Sequence, residues 1–226
     1  MRWSVVIPAL NEEARVGDAI WSAQQAGADE IIVVDGGSID ATRDVAEHAG
    51  AHVLSSKPGR AQQMNAGAVE AAGDALLFLH ADTRLPIDAL SAASAALTEG
   101  AVGGAFRLRF DEPTPVLRAY ALATHIPWYR LAFGDRAHFC TRSAFDQIGG
   151  FPPIAAFEDL ELVRHLRHAG HFAFVPLAVT TSARRFHRNG TLGQQARNLA
   201  LWTRYLCGAD PNRLAEAYRY DHARGD

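Results

Sequence analysis

The sequence predicts an α/β protein built on a doubly wound, mostly parallel central sheet flanked by helices. Three observations predict it. Short apolar runs recur through the first hundred residues without polar alternation, as strands covered on both faces require. Stretches with helical patterning separate them, giving the alternation of a parallel sheet. Gly27, Gly50 and Gly73 each follow one of those stretches, where a helix would be capped.

The elements follow in order. Residues 4–7, 30–34, 52–54 and 75–79 are apolar and read as strands. Residues 13–26, 40–49 and 60–71 read as the helices between them. The pattern is βαβαβαβ, whose crossovers are right-handed. After His80 the rhythm changes. Residues 88–98 read as a helix, and residues 104–110 as a strand in which Phe106, Leu108 and Phe110 alternate. Residues 113–129 read as helical, His138–Thr141 as a short strand, 159–169 as a helix and 172–175 as a strand. Residues 191–207 and 211–220 close the chain as helices. No repeat, low-complexity tract or linker interrupts it, so residues 1–226 are expected to form a single domain.

Composition narrows the function classes. Of 226 residues, 48% are hydrophobic and 21% charged, which excludes wholesale disorder. The net charge of −3 speaks against a generally basic nucleic-acid binder. Cys140 and Cys207 are too few and too far apart for a disulfide framework or a cysteine-rich zinc site. Reduced thiols in a cytoplasmic protein are the expectation. No apolar run nears the roughly 18 residues that span a bilayer. The first ten residues are apolar but hold Pro8 and run into Asn11-Glu12-Glu13, which fits a buried strand and not a signal peptide.

Ligands of an open parallel sheet bind beyond the carboxyl ends of its strands. Four polar loops stand there: Pro8-Ala9-Leu10-Asn11-Glu12-Glu13, Asp35-Gly36-Gly37-Ser38-Ile39-Asp40, Lys57-Pro58-Gly59-Arg60 and His80-Ala81-Asp82-Thr83. One site assembled from all four accounts for them together. The Asp35 carboxylate is a pure acceptor that can hold a ribose hydroxyl, while Asp35-Gly36-Gly37-Ser38 is equally good turn chemistry. His80 and Asp82 share one side of an extended segment, and a carboxylate there can hold Mg²⁺ or Mn²⁺ together with substrate phosphates. The alternative is a packed histidine and a helix-capping aspartate. Gly59-Arg60 opens a helix that carries Asn65 and Gly67, suited to a phosphate or simply to an ordinary cap.

Two later clusters add chemistry. Glu158, Asp159 and Glu161 crowd one helix start, either as partners of the helix dipole or as the home of a general base. From Ala183 onward eight arginines face four acids, led by Arg184-Arg185-Phe186-His187-Arg188. That cluster can grip a diphosphate, meet an anionic membrane or form a solvated face. Leu192, Leu199, Trp202 and Leu206, with Arg197 and Arg204 between them, read as core, a homodimer face or a peripheral membrane contact.

Taken together, five segments resemble the signature of family 2 glycosyltransferases of the GT-A fold, in their small, soluble, single-domain bacterial group. They are Val6-Ile7-Pro8-Ala9-Leu10-Asn11-Glu12, Val34-Asp35-Gly36-Gly37-Ser38-Ile39-Asp40-Ala41-Thr42, Gly59-Arg60-Ala61-Gln62-Gln63-Met64-Asn65-Ala66-Gly67, Leu77-Phe78-Leu79-His80-Ala81-Asp82-Thr83, and Gly149-Gly150-Phe151 followed by Glu158-Asp159. The resemblance implies a nucleotide-binding half at residues 1–100 and an acceptor-binding half with C-terminal helices at residues 101–226. It implies transfer of a sugar, with inversion, from a nucleotide-diphosphate-sugar donor to a hydroxyl acceptor, in the cytoplasm or at the inner face of the membrane.

The same resemblance implies roles. Pro8, Ala9, Asn11, Glu12, Asp35 and Gly36 would hold the nucleoside. Arg60, Asn65, Ala81 and Asp82 would lie beside the nucleotide and its phosphates. Arg184 and Arg185 would close over the diphosphate. Asp159 would be the catalytic base, with Glu158 beside it. A divalent metal, Mg²⁺ or Mn²⁺, would sit at Asp82, with His80 and His187 as further ligands.

Three departures from the family pattern stand out. His80-Ala81-Asp82 replaces Asp-x-Asp and leaves one carboxylate. Asp35-Gly36-Gly37 replaces Asp-Asp-Gly and removes one nucleotide contact. Gln194-Gln195-Ala196-Arg197-Asn198 lacks the Trp of the Gln-x-x-Arg-Trp motif of processive synthases, so single transfers are expected. A nucleotidyltransferase would want a glycine-rich, basic loop where Pro8 to Glu13 stand. A non-catalytic nucleotide-sugar-binding protein is favoured by His80 and opposed by Glu158-Asp159. A dinucleotide-dependent dehydrogenase would need Gly-x-Gly-x-x-Gly after the first strand. An acceptor would meet His125, Trp128, Tyr129, Asp135, Arg136 or His138.

Overall fold

The computed structural model describes residues 1–215; of the helix expected over 211–220, residues 211–215 are helical and the rest lie outside the described residues. Four parallel strands begin the sheet: β1 (Trp3–Ala9), β2 (Glu30–Asp35), β3 (His52–Ser55) and β4 (Ala75–Phe78). Helices α1 (Val16–Gln25), α2 (Thr42–His48) and α3 (Arg60–Glu70) connect them. Every residue of β1 is buried, because Val5 and Ile7 face one hydrophobic cluster and Val6 faces another on the opposite side of the sheet. That is the physical source of the unbroken apolar runs. Registers Ala9↔Asp35 and Asp35↔Ser55 bring the carboxyl ends level.

The second half completes the same sheet. Its elements are β5 (Thr83–Arg84), α4 (Ala89–Thr98), β6 (Ala101–Phe110), α5 (Pro115–Ala123), β7 (His138–Thr141), α6 (Arg142–Ile148), α7 (Glu158–Ala169), β8 (His171–Thr181), α8 (Arg184–Asn189) and α9 (Thr191–Leu206). The strand order is β3-β2-β1-β4-β7-β6-β8-β5. β7 runs antiparallel between β4 and β6, and β5 antiparallel on β8. Among the described residues no helix is long and apolar enough to cross a membrane.

Several expectations change here. The helix expected over 113–129 stops at Ala123, since Pro127 disfavours helix at Ile126 and Thr124 turns its hydroxyl onto Ala121 O at 2.6 Å. The strand expected over 172–175 is longer, and Pro176 sits in its irregularity, between the pairs Phe106↔Val175 and Arg107↔Ala178. β5, α6 and α8 were not expected. Gly27 and Gly50 cap helices with φ of 89° and 86°. Gly73 does not: a Cβ there would lie 2.7 Å from the Ser4 nitrogen, so it serves close approach to β1. Gly67 likewise lets α3 lie on the sheet, since a Cβ there would meet Val6 Cγ1 at 2.4 Å.

Candidate active site

The loops leaving β1 and β2 are zipped together. The Asn11 N–H donates to Ser38 Oγ at 2.9 Å, and Ile39 N–H to Asn11 Oδ1 at 2.9 Å. The Glu12 N–H donates to Thr42 Oγ1 at 2.7 Å. Asn11 adopts φ 55°, a left-handed conformation its side chain tolerates well. Gln63 of α3 bolts the strands beneath, its Nε2 donating to Ala9 O at 2.8 Å and Val34 O at 2.7 Å. Sequence reasoning missed Gln63, because a glutamine on a helix means little until two strand ends are known to face it. Gly36 packs against this amide, where a Cβ would come within 3.1 Å. Pro8 and Ala9 are buried at the end of β1.

Asp35 is buried, and its carboxylate accepts from Ser38 N–H at 3.1 Å and faces Arg43 at 3.6 Å. The turn chemistry read from the sequence is therefore present at this position. Asn65 is spent elsewhere than on a phosphate: its carboxamide bonds both the N–H and the carbonyl of Phe151, each at 2.9 Å. Gly150 permits this, since it holds φ 76° and a Cβ would lie 2.7 Å from Asn65 Oδ1.

Asp82 follows β4, with Ala81 buried beside it. Its own carbonyl accepts from Ser182 N–H at 3.1 Å, and Thr83 and Thr181 join hydroxyls at 2.9 Å. This union brings α8 over the strand ends. The Arg184 guanidinium then lies 3.4 Å from the Asp82 carboxylate and also pairs with Glu12. The other Glu12 oxygen, Oε2, is buried without a hydrogen-bond partner among the described residues.

Electrostatics tie further groups to this cluster. Burial first, then the charges of Arg60, His138 and Arg185, hold the His80 imidazole well below its usual pKa. Burial raises the Asp135 carboxyl, Asp82 raises it further, and Arg60 and Arg185 oppose. Arg60 reaches across to the buried Glu158 at 3.8 Å, joining the start of α3 to that of α7. Asp159 follows, half-buried. Burial first, then the charges of Asp135 and Asp159, push the Tyr120 phenol well above its usual value. Phe157 enters α7 with φ 62° and stacks on Tyr205 at 4.5 Å. A cavity of about 370 Å³, lined by Tyr129, Arg130, Glu161, Arg164 and Tyr205 among others, opens beside α7.

Other candidates lie apart or face inward. His187 pairs with Glu112 at 3.3 Å. Among the described residues, no group of three or more His, Cys, Asp or Glu side chains gathers closely enough to hold a metal on protein atoms alone. Arg136 and His138 are corrections to the acceptor-facing set, because both are fully buried. His138 Nε2–H donates to Ala132 O at 2.9 Å, and burial lowers its pKa to about 3. A histidine whose folded pKa is depressed binds fewer protons folded than unfolded, so stability falls as pH drops below about 6.5. At pH 5 the expected loss from His138 is about 2 kcal/mol. Chemical denaturation of wild type and His138→Gln at pH 7 and pH 5 checks it; equal losses in both would refute the assignment.

The comparisons fit this geometry. The family model for Glycosyl transferase family 2 matches residues 4–156. Two curated relatives are AglJ, a glycosyltransferase of Haloferax volcanii, and glucosyl-3-phosphoglycerate synthase of Mycobacterium tuberculosis. The first is 42% identical over 50 residues, which are 22% of this chain and 16% of the relative. The second is 35% identical over 91 residues, which are 35% of this chain and 28% of the relative. The matched segments thus span less than a third of either relative. Among solved structures, the same synthase, with Mn²⁺, UDP and glucosyl-3-phosphoglycerate, superposes with a TM-score of 0.65 at 22% identity, over 92% of this chain and 80% of that one. Staphylococcus aureus TarS 1–349 with UDP-GlcNAc gives 0.65 at 16% identity, over 80% of this chain and 58% of that one. These likenesses show a shared GT-A fold. With the family match running from β1 to the turn before α7, the chain belongs to glycosyl transferase family 2.

Proposed function

We propose that this chain is an inverting glycosyltransferase that moves one sugar from a nucleotide-diphosphate donor to a hydroxyl acceptor in single transfers. The observation that carries this reading is the convergence at one end of the sheet. Arg184 meets Asp82, Arg60 meets Glu158 of the Glu158-Asp159 pair, and the charges of both Arg60 and Asp82 act on Asp135. Residues 1–100 supply the nucleotide loops through Pro8, Ala9, Asn11, Glu12, Asp35 and Gly36, and residues from 101 onward form the acceptor half.

On this reading Asp159 takes the acceptor hydroxyl proton as that oxygen attacks the anomeric carbon. The bond from that carbon to the diphosphate oxygen breaks, and the electron pair leaves with the nucleotide. Arg60, Arg184 and Arg185 meet the charge that develops there. Glu158, buried against Arg60, fixes the start of α7 and so orients Asp159. Asn65 ties α3 to the Phe151 backbone that precedes α7.

The donor set fits a divalent cation that relies on substrate. Asp82 supplies one carboxylate, the unpartnered Glu12 Oε2 lies one guanidinium away, and burial holds the His80 imidazole, two residues before Asp82, well below its usual pKa. Mg²⁺ and Mn²⁺ accept such sites, taking one or two carboxylates plus phosphate oxygens and water. Bound there, either ion would neutralise charge on the departing diphosphate. His187 would join only by leaving Glu112.

The synthase structure contains UDP and the TarS structure UDP-GlcNAc, which supports a uridine nucleotide as the first donor to try. The test is thermal unfolding with UDP, GDP, CDP and dTDP, each with Mg²⁺, Mn²⁺ or EDTA. One nucleotide with metal is expected to raise the midpoint by roughly 5–10 °C near saturation. A shift that survives EDTA would remove the metal from the proposal, and no shift with any nucleotide would remove the donor.

A further inference from the structure

One face of the molecule takes no part in this site. α5 and α9 meet there, with the Trp128 and Trp202 rings edge to face at 5.8 Å and Trp202 Nε1–H donating to Arg130 O at 3.0 Å. Leu122 on α5, Ile126 and Trp128 in the turn that follows it, and Leu192 and Leu199 on α9 are all exposed. Leu192 and Leu199 lie two helical turns apart and so share one side of α9. An apolar patch that continues across two elements asks for a partner.

Charge identifies the partner. Residues 113–134 and 182–209 contain seven arginines and no acid, while the chain as a whole carries −3. Arg184 and Arg185 belong to the site. Arg118, Arg130, Arg188 and Arg204 are exposed around these apolar positions. Arg118 lies one turn before Leu122 on the same side of α5. Arg197 and Arg204, seven residues apart, run as a second row along α9. An apolar row flanked by an arginine row, with a tryptophan pair at its edge, suits a surface that is oily beneath and anionic above. A second copy of this chain fits poorly, because a two-fold contact would set arginine against arginine.

We infer that α5 and α9 seat the protein on an anionic lipid bilayer, with the exposed leucines in the headgroup boundary and the arginines on lipid phosphates. The inference rests on the surface alone and does not depend on the transfer reaction.

Co-sedimentation of the full chain with vesicles tests it, using phosphatidylcholine alone and phosphatidylcholine mixed with phosphatidylglycerol. Binding is expected on the mixed vesicles, weakened by salt, and absent on the neutral ones. The double variant Arg118→Gln, Arg204→Gln should bind roughly thirty-fold more weakly, at about five-fold per arginine. Leu192→Ser with Leu199→Ser should bind weakly too, with an unchanged unfolding midpoint, since both positions are exposed. Equal sedimentation with both vesicle types, or variants that bind like wild type, would overturn the assignment. So would a dimer in solution that the leucine variant abolishes, which would make this face a self-interface.

Discussion

Replacing Asp159 with asparagine is expected to lower kcat about a hundred- to ten-thousandfold while leaving donor binding intact. Asparagine keeps the shape and hydrogen-bonding reach of aspartate but cannot take a proton. Asp159 stands in the first turn of α7, whose entry is held by the Phe157–Tyr205 stack and by Glu158 against Arg60. Those supports do not involve the Asp159 charge, so the fold around it should persist. Transfer rate and nucleotide affinity, measured on the same preparation, separate chemistry from binding. An unchanged rate would move the base elsewhere; a loss of affinity equal to the loss of rate would make Asp159 a donor contact.

The largest stability effect is expected at Arg136. Its guanidinium is 1% exposed and donates to Phe106 O at 2.6 Å, Leu131 O at 3.2 Å and Thr124 O at 3.1 Å. It also lies over the Phe174 ring at 5.2 Å. Burial lowers its pKa to about 10, which still leaves it charged at neutral pH. Arg136→Ala removes the donors and strands three carbonyls, at an expected cost of about 3–5 kcal/mol. Urea denaturation measures this directly. A loss below about 1 kcal/mol would show that water or neighbouring groups replace the guanidinium.

The two halves of the molecule were legible to different degrees, for a physical reason. β1, β2 and β4 are covered on both faces, so their sequences are short unbroken apolar runs, told from buried helix by their length and the turn residues that bound them. β8 is covered unevenly, carries Pro176 and pairs through an irregular register, so its sequence shows only its first part. β5 is two residues long and exists because β8 offers it an edge. At the site, position after a strand was enough to single out Asp35 and Asp82. Partnership was not legible, because Arg60 and Glu158 meet only when α3 and α7 converge, and Glu12 and Arg184 are 172 residues apart. Arg136 looks like loop polarity in sequence, and His138 like the polar start of a short strand. They turn inward because that segment has unpaired carbonyls to satisfy, a demand visible only in three dimensions.

The pairing of residues 83–84 with residues 180–181 also sets a timetable for synthesis. The loops proposed to hold a nucleotide can form once β4 has left the ribosome, but the hydroxyl partner of Thr83 comes 98 residues later. At ordinary elongation rates that interval is roughly five to twenty seconds. Throughout it Asp82 lacks its backbone tie to Ser182, and Arg184 does not yet exist. On the proposed function, a nascent chain would carry its nucleotide loops before the arginine proposed to close on them has been made. Use of an activated sugar would then wait for the chain to extend past Arg184.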